Sequence, residues 1–181
     1  MIIAQQLRTT NRAEYLLYLW QVEDILRAYD CDIDRLRTEY LSRFTLDDDV
    51  RRQTEQWYAD LCEMMRSEGC VAGGHLQRSR IVLQELDELH RRLLASPKFP
   101  YYREMYYKVL PYIVELRAKG VQQDTDELQT CFDALYGVMM LRLQHKEVSE
   151  ATATAVKDIS TLLGQLSDYY LKDKQNPIDF D

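Results

Sequence analysis

The stretch Asn11-Arg12-Ala13-Glu14-Tyr15-Leu16-Leu17-Tyr18-Leu19-Trp20-Gln21-Val22-Glu23-Asp24-Ile25-Leu26-Arg27-Ala28-Tyr29 decides the fold class. No glycine or proline interrupts it, and Asn11 with Glu14 has the spacing of a helix capping box. Successive residues of a helix turn by about 100°. One arc therefore carries Tyr15, Tyr18, Leu19, Val22, Ile25, Leu26 and Tyr29. The opposite arc mixes Leu16, Leu17 and Trp20 with Glu23, Asp24 and Arg27. A helix that is apolar around most of its circumference must be covered on several sides, so it predicts further helices packed around it.

The rest of the chain supplies them. A second segment starts after Asp32 and runs to about Arg43. A third runs from about Asp47 to Ser67, with Thr45 as its expected cap and Val50, Trp57, Leu61 and Met64 as its apolar stripe. Gly69 and the pair Gly73-Gly74 then break the chain. A fourth helix, His75 to Ala95, carries Val82, Leu86, Leu89 and Leu93 at the spacing of a packed seam. Ser96-Pro97 ends it, and Pro100 suits the first turn of a fifth helix bearing Tyr102, Tyr106, Val109, Ile113 and Leu116. Pro111 is expected to kink that helix, and Gly120 to end it. Asp124 with Glu127 opens a sixth, striped by Leu128, Phe132, Leu135, Met139 and Leu143. The seventh begins near Ser149 and presents Ile159, Leu163, Leu166 and Tyr170.

No alternating strand pattern persists. The expected fold is all-α: a compact multi-helix bundle of about seven helices with short antiparallel connections. The 181-residue length fits a single domain, here taken as residues 1–174. Residues 175–181 contain Pro177, show no period and are expected to be a mobile tail.

Composition narrows the functional classes. The net charge of −7 disfavours a phosphate backbone as partner, so no nucleic acid is expected. No window approaches the roughly 18 apolar residues of a membrane span, and the N-terminus lacks the basic start of a signal peptide. Cys31, Cys62, Cys70 and Cys131 match no zinc module and read as buried thiols in a reducing compartment, which makes the cytoplasm the expected location.

The run Asn11 to Asp24, with its Asn-x-Ala-Glu-Tyr-Leu-Leu-Tyr-x-Trp-Gln-x-Glu-Asp pattern, resembles the opening of a bacterial family of uncharacterised all-helical proteins, a domain of unknown function. The resemblance implies the fold and a bacterial cytoplasmic setting. It implies no activity, and no catalytic residue follows from it.

Each candidate site is short of ligands or geometry. Asp87-x-x-His90 occurs once, whereas a di-iron bundle needs two such motifs, and its residues are expected on a solvated helix flank. Cys62, Cys70 and His75 have irregular spacing for zinc. Cys70 and His75 could pair only if the loop brought them together. No catalytic residue, metal or cofactor is therefore assigned. The polar cluster Trp20, Glu23, Asp24 and Arg27 is the candidate binding site. Glu23 and Arg27 have the spacing of a helix ion pair. Gly73 and Gly74 before a helix start, with Arg78 following, form a weaker anion site. The sequence has 13 tyrosines, and the pairs Tyr101-Tyr102, Tyr106-Tyr107 and Tyr169-Tyr170 let one ring enter a core while the other meets a rim.

Two functions stay open. One is a non-enzymatic helical module acting through protein association, with a homodimer as its simplest form and the tyrosine-rich fifth helix as its surface. The other is a small-molecule-binding protein or enzyme with a pocket near Glu23 and Arg27.

Overall fold

The computed structural model describes residues 2–119 and 126–181. The described residues form eight α-helices and no strand. Gly120 and Asp124, expected to end one helix and open the next, lie outside them. No described helix is long and apolar enough to cross a membrane.

The contacts of the chain group into two compact units, Met1–Thr10 with Glu14–Val82, and Asn11–Ala13 with Leu83–Asp181. The first unit contains α1 (Ile2–Thr10), an element the sequence reading passed over, and α2 (Arg12–Ala28) from Glu14 onward. The chain leaves α2 through Asp30 and Cys31, both at φ 55°, and the Cys31 amide bonds back to the Leu26 carbonyl at 2.8 Å. Asp32 caps the next turn by accepting from the amides of Asp34 and Arg35. That turn, α3 (Ile33–Arg35), runs into a wider π turn at Leu36–Tyr40 and a tighter 3-10 turn at Leu41–Arg43. The second segment expected from sequence is thus three unlike turns in series.

Helix α4 covers Asp48–Ser67. Its cap position is Asp47, not Thr45. Its buried face is Thr54, Tyr58, Leu61, Cys62 and Met65, while Met64 is exposed. The expected stripe was misplaced around the helix because Thr54, Tyr58 and Cys62 were not counted as core. At Gly69 the chain adopts φ 67°, and the Cys70 amide closes the helix end on the Met65 carbonyl. Val22, Leu26, Leu36, Tyr58, Met65 and Leu76 are among the residues that fill this unit's core.

Helix α5 (Gln77–Ala95) begins in the first unit and continues into the second, whose other elements are α6 (Pro100–Lys119), α7 (Glu127–Leu143) and α8 (Glu150–Gln175). Ser149 caps α8 by accepting from the Thr152 amide. Helices α6, α7 and α8 pack on one another. Tyr102, Val109 and Ile113 of α6 are buried, as are Leu128 and Phe132 of α7 and Ile159, Leu163 and Leu166 of α8. The expected α7 stripe ends early, since Leu143 is exposed. The C-terminal segment makes several contacts with the residues around Ser96. The Phe180 carbonyl accepts from Ser96 Oγ at 2.8 Å, Asp179 pairs with Lys98 at 2.7 Å, and Arg92 lies over the Phe180 ring.

Candidate functional site

The charged cluster of α2 is built around a carboxylate taken out of water. Glu23 is 1% exposed. A buried charge is tolerated only when donors replace its hydration. Glu23 Oε1 accepts from Ser79 Oγ at 2.6 Å and from the Leu76 amide at 3.2 Å. Its Oε2 lies 2.7 Å from Nδ1 of His75. The His75 ring in turn stacks on Trp20, with centroids 4.4 Å apart. The expected partner, Arg27, reaches Glu23 only at 3.9 Å. Its shorter bonds go to Asp24 at 2.8 Å and to the carbonyls of Cys70 and Gly74. Arg27 therefore stitches the turn between α4 and α5 to α2, and Glu23 fastens the beginning of α5.

Of the groups expected to hold an external anion, Gly74 and Arg78 are engaged within the protein. A helix N-terminus offers unbonded N–H groups to a negative charge. Here the charge comes from the protein. Glu23 takes the Leu76 amide, and Glu68 takes the Gln77 amide at 2.5 Å. Gly74 presents its carbonyl to Arg27, and Arg78 donates to the Tyr15 hydroxyl at 3.1 Å.

The remaining candidates separate. His90 is buried rather than solvated, with Nδ1 2.6 Å from the Tyr102 hydroxyl, and burial pushes its pKa down to about 4. Asp87 pairs with Arg91 at 2.7 Å. Nothing in the sequence signals that Tyr102 meets His90 edge-on. Cys70 is buried, and burial raises its thiol pKa, so it is held as the thiol rather than the nucleophilic thiolate. Among the described residues no group of three or more His, Cys, Asp or Glu is arranged to hold a metal ion.

Helix α6 has a different character. Its inner face is core, but Tyr101 is 79% exposed, Tyr107 65% and Val114 59%. Pro111 and Ala118 are also exposed. Tyr107, Pro111, Val114 and Ala118 follow the 4-3-4 spacing of one helical face, so they form an apolar stripe turned away from the core. Lys108 and Glu115, both exposed, run along one flank of it. Tyr106 sits between the two faces and donates to Glu127 at 2.7 Å, and burial together with that carboxylate pushes its pKa up to about 12.

Residues 1–177 match a family described as a domain of unknown function, DUF4924. The chain belongs to that family. No curated protein and no solved structure matches it. The family carries no activity to this chain, so function rests on the arrangement of its own residues.

One set of residues escaped the sequence reading. Ile3, Tyr40, Phe44 and Tyr58 line a groove in the first unit. Its walls are α1, which was not read as a helix, and the π and 3-10 turns, which have no distinctive residue pattern. The aromatic residues themselves were the available signal.

Proposed function

We propose that this protein is a non-enzymatic association module of the bacterial cytoplasm that pairs with a second copy of itself through the outer face of α6. The observation that carries the reading is the exposed stripe Tyr107, Pro111, Val114 and Ala118. Large apolar side chains aligned on one exposed helix face are the usual seat of an anchor contact. In an antiparallel pairing of two α6 helices centred between Pro111 and Tyr112, Lys108, which donates to Asp158 at 2.7 Å within its own chain, comes level with Glu115 of the other copy. The stripe is thus complementary to itself in charge as well as in polarity, as a two-fold interface requires. The four free, buried cysteines support the reducing setting, and the net charge of −7 supports a protein rather than a nucleic-acid partner.

One helical face is a small interface, and association itself costs several kcal/mol, so a Kd on the order of micromolar is expected. Sedimentation over a concentration series tests it. Val114→Glu should weaken the dimer by about tenfold or more without changing the helical content. Glu115→Lys should weaken it too. A strict monomer at every concentration would sink the reading. The small-molecule alternative near Glu23 and Arg27 is the weaker reading, since the described hydrogen bonds of both groups go to the protein itself.

A further inference from the structure

The groove in the first unit has a volume of about 340 Å³. Leu41, Thr54 and Tyr58, all buried, form its floor, while Ile3 and Phe44, 49% and 44% exposed, stand at its rim. Tyr40 meets Phe44 edge-on at 5.2 Å and Tyr58 edge-on at 6.1 Å, so three rings make one continuous aromatic wall. Its polar lining residues are Gln5, Gln53 and Thr54, beside Tyr40 and Tyr58. Among the described residues no charged side chain lines it.

These features constrain an occupant. An ion entering an uncharged, largely apolar groove would lose hydration with nothing to replace it, so the ligand is neutral. A cavity of roughly 150 Å³ accommodates benzene, which makes this groove large enough for about two rings. Gln5, Gln53 and Thr54 at the lining suit one hydrogen-bonding edge on an otherwise apolar body, the usual division of labour in a ligand pocket. The backbone adds an independent sign. Tyr40 closes the π turn and Leu41 opens the 3-10 turn, so the wall is set by an irregular segment of a kind found frequently at functional sites.

We infer that this groove is a binding site for a neutral, planar, two-ring aromatic small molecule carrying one hydrogen-bonding edge. The site lies within the first unit and is independent of the α6 pairing.

Indole is a suitable probe, with indole-3-acetate as its charged counterpart. Titration into the full chain, followed by amide and aromatic NMR shifts, should give saturable one-to-one binding with perturbations around Tyr40, Phe44, Val50 and Tyr58. Indole-3-acetate should bind about tenfold more weakly or worse. Phe44→Ala, at a half-exposed position that leaves the core intact, should weaken indole by about tenfold while thermal melting shows the fold unchanged. Val114→Glu should leave indole binding as it is, which separates failure of this site from failure of the dimer. Absence of saturation, equal affinity for the acetate, or indifference to Phe44→Ala would each overturn the assignment. Tighter binding of N-acetyl-tryptophanamide than of indole would also overturn it, by giving the groove to an aromatic side chain of a protein partner.

Discussion

Glu23 in the first unit and Glu85 in the second each fasten helices, and they do so by different means. Glu23 is almost wholly buried and is satisfied by a hydroxyl, a backbone amide and an imidazole, with the Arg27 guanidinium only at 3.9 Å. Glu85 is partly exposed and is satisfied at Oε2 by the Arg12 guanidinium at 2.6 Å and the Tyr170 hydroxyl at 2.7 Å, with Lys174 at 3.9 Å from Oε1. Burial works against the charge of Glu85, but the hydrogen bonds from Tyr170 and Arg12 outweigh it and lower its pKa. The difference shows that burial sets how much a carboxylate depends on well-placed dipoles.

The comparison breaks most sharply at Glu23. Glu23→Ala would leave the Leu76 amide, Ser79 and His75 facing a buried void, so unfolding in denaturant should register a loss of about 3 kcal/mol or more. Glu23→Gln keeps an acceptor and should cost less. His90 extends the contrast to a buried group without a carboxylate in hydrogen-bond contact. Its pKa is held down at about 4, against 6.5 for the free side chain. The unfolded chain therefore binds more protons between those values, and the contribution of His90 is present above pH 6.5. It is lost as the pH falls towards 4, by up to about 3 kcal/mol. Stability measured across that window should lose part of its slope in His90→Gln.

Glu85 should give a smaller change. Glu85→Gln is expected to cost about 1 kcal/mol near neutrality. Because its folded pKa is lowered, its contribution is present above the unfolded carboxylate pKa and lost as the pH drops through the folded value. The variant and the parent should therefore converge in acid. The smallest effect separates the two carboxylates by salt. Added salt should narrow the gap between parent and Glu85→Gln by a few tenths of a kcal/mol and leave that for Glu23→Gln nearly unchanged.

The helices were legible because their apolar periods and caps are local. Asp32 and Ser149 mark their helix starts in the sequence and cap them in the structure. Where a helix face includes Thr54 or Tyr58, hydrophobicity alone misplaces the stripe, since burial there is decided by neighbours distant in sequence. Glu23 and Arg27 stood out as charges on an apolar helix. Their partners did not, because His75, Leu76 and Ser79 lie more than 50 residues further along the chain. The inner and outer faces of α6 were foreshadowed by its tyrosine pairs: Tyr102 is buried and Tyr101 is 79% exposed. The aromatic groove was missed with α1 and the π turn, neither of which announces itself by period.

The remote fastening of α5 also has a kinetic side. A helix start capped by its own neighbouring residue can fray and re-form locally. The Leu76 amide is held by a side chain on α2, so its hydrogen can exchange with solvent only when α2 and the start of α5 come apart. Its exchange rate should follow the opening of the first unit as a whole, which makes this one amide a reporter of when that unit ceases to hold together.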